Sequence, residues 1–210
     1  MQRRDKDSRT LIQLFQSSPC ISDRYEHLSH ILSQVNLSGL YLEFGVFKGD
    51  SINYIANAIS PRLIYGFDSF IGLPEEWKRR KDGCSTLPIG TFAVDALPEV
   101  LQNVRLIKGW FKDTLPTFIS NHAEDIAFIN IDSDLYSAAK TILTSLNEQI
   151  VPGTIIYFDE ITGWGELIDQ YDTWEDGEYK ALLEWIWEYE REVETISRNK
   201  RYGAAIRVVR

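Results

Sequence analysis

Short apolar runs alternate with helical stretches through the middle of this chain, and this rhythm constrains the fold most. The runs are LYLEF (40–44), LIYGF (63–67), VRLIK (104–108), IAFINI (126–131) and TIIYF (154–158). Runs of this length are typical of strands buried on both faces of a parallel sheet. Helices are predicted between them near 51–59, 114–120 and 136–149. The alternation predicts a doubly wound α/β fold, in which ligands bind at the carboxyl ends of the strands.

The two ends of the chain should add to this α/β core. Helices near 11–15 and 23–35 predict an N-terminal helical arm over residues 1–38, and a helix at 178–190 precedes strand candidates at 192–196 and 204–209. Segments 69–98 and 160–178 carry little regular pattern. Long irregular segments in a compact domain are typical of functional lids. We therefore expect one domain over residues 1–210 with two lid segments.

Net charge and cysteine content limit which binding partners and which cellular compartment we expect. A net charge of -9 and a pI of about 4.9 argue against nucleic acid or an anionic membrane surface as the main partner. Cys20 and Cys84 lie far apart, which favours a reduced, cytoplasmic protein. No apolar run is long enough to span a bilayer. The oligomeric state stays open, although the N-terminal helices could pack on a second subunit in a homodimer.

Carboxylates follow or end four of the predicted strands. They are Glu43, Asp68, Asp132, Asp134, Asp159 and Glu160. Each taken singly is as well explained by helix capping or solvation, and Asp134 fits a cap. Together they would repel one another unless a cation lies among them. Asp132, Asp159 and Glu160 offer oxygen ligands only, which suits a hard ion such as Mg²⁺.

The stretch YLEFGVFKGDS (41–51) places two glycines between a strand and a helix. The nicotinamide fingerprint needs G-x-G-x-x-G, but only Gly45 and Gly49 are present here. Glu43, just before the bend, would repel a pyrophosphate and favour a ligand with a cationic part. S-adenosylmethionine fits, because it carries a sulfonium and an ammonium and no phosphate, and Asp68 could bind its ribose hydroxyls. The other interpretation of the glycine pair is a tight turn and nothing more.

Five segments together resemble a known enzyme family. LEFGVFKGDS, GFDSFIGLPEEW, IKGWFKDTLP, INIDSDLY and GTIIYFDE are similar, in this order, to the metal-dependent sugar O-methyltransferases of the macrocin and mycinamicin type. They resemble catechol O-methyltransferase more distantly. The similarity runs from about Leu40 to Glu160. It implies a Rossmann-like methyltransferase fold with a mostly parallel seven-stranded sheet and an antiparallel terminal strand.

The resemblance also implies a set of site residues. The cofactor-binding set is Glu43, Gly45, Val46, Phe47, Gly49, Ser51, Asp68, Ser69, Gly109, Trp110, Phe111 and Asp132. The metal ligands fall on Asp132, Asp159 and Glu160, and the catalytic residues are Asp134, a candidate general base, and Asp132. Two departures stand out. Many relatives have aspartate or asparagine at the position of Glu160, and Leu135 replaces the lysine base of the catechol enzymes.

These observations predict an S-adenosylmethionine-dependent O-methyltransferase that uses Mg²⁺ or another divalent ion. Its acceptor would be a hydroxyl of a sugar-containing or other small natural product. The alternatives are a nicotinamide-dependent oxidoreductase and a non-catalytic relative that binds the cofactor. Trp164 and Trp174 lie in the second lid segment, and we assign them no role. His27, His30 and His122 lie outside the group of carboxylates at the strand ends, and we assign them no role either.

Overall fold

The computed structural model describes residues 2–163 and 168–210, with side chains from residue 9 onward. Its helices are α1 (Gln2–Ser17), α2 (Arg24–Ser33), α3 (Asp50–Ile59), α4 (Phe111–Asn121), α5 (Tyr136–Ser145) and α6 (Glu178–Glu188). Its strands are β1 (Cys20–Ile21), β2 (Leu40–Phe44), β3 (Ile64–Asp68), β4 (Trp77–Lys78), β5 (Thr86–Leu87), β6 (Val104–Lys108), β7 (Ile126–Ile131), β8 (Ile155–Phe158), β9 (Val193–Asn199) and β10 (Ala204–Val208). None of these helices combines the length and the apolar character needed to cross a membrane.

Eight strands form one sheet in the order β1-β9-β10-β8-β7-β2-β3-β6, while β4 and β5 form a separate hairpin. Strands β8, β7, β2, β3 and β6 run parallel, and β10 lies antiparallel to both β8 and β9. The parallel core and the antiparallel terminal strand are those predicted. The eighth strand, β1, was not predicted, because a two-residue edge strand leaves no periodic signal in the sequence.

Alternating side chains of the central strands pack on helices at opposite faces of the sheet. Leu42 and Phe44 of β2 belong to one apolar cluster, which also contains buried residues of α4, α5 and α6. Tyr41 belongs to the other cluster, which contains buried residues of α2 and α3. Residues on both faces of β2 are buried, which explains why its sequence reads as a continuous apolar run.

Helix boundaries differ modestly from the predicted ones. The first helix is far longer than 11–15, because its polar first turns lack the apolar spacing used for prediction. Helix α5 ends at Ser145, before the predicted limit at 149. Asp23 caps α2, because its carboxylate accepts the backbone N–H groups of Tyr25 and Glu26.

The chain changes direction across the sheet beside β2. Strands β3 and β6 lie on one side of β2, and β7 and β8 lie on the other. Ligands of doubly wound folds bind outside the carboxyl ends of the strands at such a reversal. The fold therefore places a site where the segments after β2 and β7 meet. There, a Cβ added to Gly45 would lie 1.8 Å from the carbonyl oxygen of Asp132, so only glycine fits.

Candidate active site

A cavity of about 860 Å³ opens at the carboxyl ends of the parallel strands. This volume lies in the upper part of the range usual for small-molecule sites. Most of the predicted site residues line it: Gly45, Val46, Phe47, Ser51, Asp68, Ser69, Trp110, Phe111, Asp132, Asp134, Asp159 and Glu160. Glu43, Gly49 and Gly109 do not line it. Sequence reasoning therefore located the cavity but not every residue on its surface.

Asp68 holds the glycine bend, residues 45–49 between β2 and α3, at the cavity wall. One oxygen of its carboxylate accepts the backbone N–H groups of Val46 and Phe47, each at 2.8 Å. The other oxygen accepts the N–H of Phe70 at 2.7 Å. Each carboxylate oxygen has two lone pairs, so the oxygen facing Phe70 retains capacity for a hydroxyl donor. Asp68 can thus position the bend and still bind a ligand.

Glu43 lies beneath the cavity rather than in it. Its side chain is fully buried, and its two oxygens accept hydrogen bonds from Ser51 Oγ and Asn130 Nδ2, both at 2.9 Å. Burial raises the pKa of Glu43 to about 8. The structure therefore gives Glu43 a supporting position under the bend, where both of its carboxylate oxygens already accept hydrogen bonds from the protein.

Aromatic side chains border the cavity beyond β6. Trp110 and Phe111 line it at the start of α4, and Phe111 packs edge-on against Phe44 with ring centroids 5.2 Å apart. Gly109 has a φ of 144° and donates its N–H to the carbonyl of Asp68 at 2.9 Å. Two aromatic side chains at this place suit a stacked heteroaromatic ring.

Three carboxylates that line the cavity converge. Oxygen atoms of Asp132, Asp134 and Glu160 all lie within 4.8 Å of one another, close enough to share one metal ion. Oε2 of Glu160 is buried without a hydrogen-bond partner among the described residues. The predicted metal set differs by one member, because Asp134 joins this group and Asp159 does not.

Asp159 is held by other partners. Its Oδ1 accepts a hydrogen bond of 2.7 Å from the hydroxyl of Tyr157 and lies 3.3 Å from Nε of Arg24. Arg24 also forms an ion pair with Asp132 through Nη2. Arg24, at the start of α2, thus bridges the two aspartates. Sequence reasoning missed it, because 108 residues separate Arg24 from Asp132 and no local motif marks it.

A further buried carboxylate, Glu178, was also missed. It begins α6 and is fully buried, and it accepts hydrogen bonds of 3.3 Å from the backbone N–H and hydroxyl of Ser133 and from the N–H of Glu160. Glu178 therefore fixes the two segments that carry the acidic cluster. Its position at the predicted start of a helix was the only signal in the sequence.

The electrostatics of this wall reflect crowded, buried acids. Burial, followed by the charge of Asp159, raises the pKa of Asp132 to about 7. Burial, followed by neighbouring carboxylates, raises the pKa values of Asp134, Glu160 and Glu178 well above their usual range. Such crowding favours binding of a cation, because it removes the repulsion among the carboxylates.

The two segments predicted to be lids contact each other. Trp77 of β4 packs edge-on against Tyr171 at 5.6 Å, and Thr173 Oγ1 donates to the carbonyl of Lys78 at 2.7 Å. Trp174 is buried and does not line the cavity. Trp164 lies outside the described residues. The lids therefore meet through aromatic packing and hydrogen bonds between segments that are far apart in sequence.

The histidines stay outside the cavity lining, as expected. His27 is nevertheless fully buried, with Nε2 2.9 Å from Ser197 Oγ. It lies on the face of α2 that packs against β9, so its structural role went unnoticed in the sequence.

Comparison with known proteins decides the family. The model of the macrocin O-methyltransferase family matches residues 20–178, well over half of the chain. The chain belongs to this family. The matched region contains the glycine bend, Asp68 and the whole acidic cluster, so the resemblance seen in the sequence is confirmed.

Curated relatives of this family member act on natural products. Mycinamicin III 3''-O-methyltransferase of Micromonospora griseorubida is 28% identical over 70% of this chain and 67% of its own length. The 4'-O-methyltransferase of a rhamnosyl tetracenomycin from Streptomyces olivaceus is 27% identical over 65% of this chain. The match spans only 59% of the length of that relative.

Solved structures confirm the fold. The O-methyltransferase NovP superposes with a TM-score of 0.60 and 25% identity over 89% of this chain and 80% of its own. The calicheamicin methyltransferase CalS11 gives a TM-score of 0.64 at 22% identity over 97% of this chain and 91% of its own. The family member therefore has the Rossmann-like methyltransferase fold that the sequence predicted.

Proposed function

We propose that this protein transfers a methyl group from S-adenosylmethionine to a hydroxyl of a sugar-containing natural product, with a divalent ion bound beside the acceptor. One observation carries the proposal. A single cavity is lined both by the glycine bend held by Asp68 and by the cluster of Asp132, Asp134 and Glu160. A cofactor site and an ion site that share one cavity suit transfer between two bound molecules.

The residues present fit S-adenosylmethionine. The free capacity of Asp68 matches a ribose hydroxyl, and Trp110 with Phe111 offers a surface for the adenine. The bend from Gly45 to Gly49 would lie along the methionine part. Glu43 would support this bend from below through Ser51. The cofactor supplies an electrophilic methyl group on a sulfonium.

The acidic cluster fits a hard divalent ion. Its donors are all carboxylate oxygens, and the buried Oε2 of Glu160 has no partner among the described residues. Asp132, Glu160 and Asp159 would hold the ion, whose chemistry is that of a Lewis acid that lowers the pKa of a bound hydroxyl. Asp159 is the proposed third ligand in place of Asp134, and it would have to give up its contact with Arg24 at 3.3 Å to serve as one.

Asp134 is the proposed general base. Its carboxylate lies within 4.8 Å of the ligand atoms of Asp132 and Glu160 and lines the cavity. Asp134 has a φ of 63°, an uncommon backbone conformation for a residue other than glycine. That conformation persists only because surrounding contacts fix it. Asp134 would accept the hydroxyl proton of the acceptor, and the lids would exclude water.

The cavity mouth favours an acceptor with a large apolar part. Exposed apolar side chains of the first lid segment line it, namely Ile71, Ile89 and Phe92. Exposed apolar groups at a cavity rim are typical of binding sites. The name of the relative from Streptomyces olivaceus gives a rhamnosyl group on its acceptor, and this supports a glycoside acceptor here too.

Methyl transfer to a panel of glycosylated natural products and phenols tests the proposal. Labelled methyl should pass from S-adenosylmethionine to a glycoside, and EDTA should stop the transfer until Mg²⁺ is restored. Transfer at full rate in EDTA would remove the ion from the proposal. Cofactor binding with no transfer to any acceptor in the panel would favour a non-catalytic binding protein.

A further inference from the structure

Arg24 is a cation placed among the carboxylates that are proposed to bind the ion. Its Nη2 pairs with Asp132, and its Nε lies 3.3 Å from Oδ1 of Asp159. Burial alone would lower the pKa of Arg24, but the charges of Asp159 and Asp132 outweigh it and raise that pKa. The guanidinium is therefore charged and partly neutralises the acidic wall.

The position of Arg24 divides the acids into two groups. Arg24 contacts Asp132 and Asp159, whereas the carboxylates with oxygens within 4.8 Å of one another are those of Asp132, Asp134 and Glu160. Asp132 is shared between the groups. Arg24 contacts Oδ2 of Asp132 and Oδ1 of Asp159, so an ion held by both residues would compete with the guanidinium for the same two carboxylates. Two cations this close would also repel each other.

We infer that Arg24 is an internal counter-ion that exchanges with the divalent ion at Asp132 and Asp159. Without the ion, Arg24 relieves the repulsion among the acids; with the ion, it leaves both aspartates. The inference rests on the ion site in the proposed function. It links ion binding to the N-terminal arm, because Arg24 is the first residue of α2.

The exchange has a thermodynamic consequence. When a site must first be vacated, the apparent affinity of the incoming ligand is reduced by the fraction of molecules that are competent to bind. Removing the guanidinium should therefore raise the affinity for the ion and lower the stability of the ion-free protein. A purely structural salt bridge would change stability without tightening ion binding.

Binding of Mn²⁺, measured by electron paramagnetic resonance, separates these outcomes. Arg24→Met should bind Mn²⁺ about fivefold or more tightly than the unmodified protein, at the lower end of usual coupling between sites. Arg24→Gln provides a second variant if the first folds poorly. Arg207→Met is the matched control, because Arg207 pairs with Glu194 at 2.5 Å and does not line the cavity. It should leave Mn²⁺ affinity unchanged.

Thermal unfolding supplies an independent readout. Without ion, the unfolding midpoint of Arg24→Met should be lower than that of the unmodified protein. Adding Mg²⁺ should raise the midpoint of Arg24→Met by more than it raises the midpoint of the unmodified protein. Equal or weaker Mn²⁺ binding by both Arg24 variants would overturn the exchange and leave the proposed function standing. Failure of the unmodified protein and the variants to bind Mn²⁺ at all would overturn the ion site and the exchange together.

Discussion

The carboxylate of Asp68 accepts a hydrogen bond of 2.8 Å from the backbone N–H of Phe47. This contact joins the end of β3 to the glycine bend after β2, the two segments expected to surround the cofactor. The residue proposed to bind the ribose thus also fixes the loop proposed to bind the methionine part. Such positioning contributes to affinity because the bound geometry is already formed.

Asp68→Ala should weaken binding of S-adenosylhomocysteine by about 1.5–3 kcal/mol, the usual contribution of hydrogen bonds to a charged group. Titration calorimetry measures the change. Asp95→Ala removes an exposed carboxylate elsewhere in the first lid segment and should leave the affinity unaltered. Equal affinity in the Asp68 variant and the unmodified protein would contradict the assignment of Asp68 to the ribose.

Gly45→Ala should destabilise the fold far more than Gly83→Ala. Both glycines have positive φ, 93° and 77°, but a Cβ on Gly45 would collide with the Asp132 carbonyl whereas that on Gly83 meets no atom within 4 Å. The strain of a positive φ alone costs about 1–2 kcal/mol. Urea unfolding should show a loss near this value for Gly83→Ala and a clearly larger one for Gly45→Ala. Similar losses would contradict the close approach of the two loops.

Glu43 should make stability fall as pH rises. Burial raises its pKa from 4.5 to about 8, so the folded protein keeps a proton that the unfolded chain releases. The stabilising contribution is complete below the unfolded pKa and is lost as pH rises through the folded pKa. The stability of the unmodified protein relative to Glu43→Gln should therefore decline between pH 4.5 and 8, by at most about 1.4 kcal/mol per pH unit.

Urea unfolding at several pH values measures this difference between the unmodified protein and Glu43→Gln. Glu76→Gln makes the same change in charge at an exposed position and controls for net charge. A stability difference that stays constant over this pH range would show that the Glu43 carboxyl does not carry the extra proton.

The fold could be predicted wherever a short stretch of the sequence shows by its apolar residues that it is buried. Strand β7 is buried along its whole length, and its run IAFINI shows this directly. The glycine bend and Asp68 were also recognisable, because backbone conformation and a strand end restrict residue type. Arg24 and Glu178 were not predictable, since α2 and α6 bring them to the acidic wall from distant parts of the chain. The burial of Glu43 depends on Ser51 and Asn130, a contact that only the folded sheet creates.

Asp134 in the IDSD segment and Asp159, directly after β8, should respond differently when each is replaced by asparagine. Asp159→Asn should raise the Mg²⁺ concentration required for methyl transfer, because it removes a proposed ion ligand. Asp134→Asn should lower turnover with little change in the Mg²⁺ requirement, because it removes the proposed base. Asp113→Asn, at an exposed position in α4, is the control. A changed Mg²⁺ requirement in Asp134→Asn alone would place Asp134, rather than Asp159, among the ion ligands.

The first lid segment should exchange its amide hydrogens faster than the sheet before ligand binds. Residues 69–98 contain the short β4–β5 hairpin but little other regular structure, and they contact Tyr171 and Thr173 of the second segment predicted to be a lid. Hydrogen exchange measured by mass spectrometry should show slower exchange in 69–98 once S-adenosylhomocysteine is added. Equal protection of this segment and strand β7 in the ligand-free protein would argue against a lid.

Titration of S-adenosylhomocysteine and of NAD⁺ into the unmodified protein, followed by calorimetry, tests the central claim most directly. It needs no knowledge of the acceptor, and it compares a nucleoside ligand without phosphate with one that carries a pyrophosphate. We expect saturable binding of S-adenosylhomocysteine with one molecule per chain and no binding of NAD⁺. Binding of NAD⁺ without binding of S-adenosylhomocysteine would contradict it.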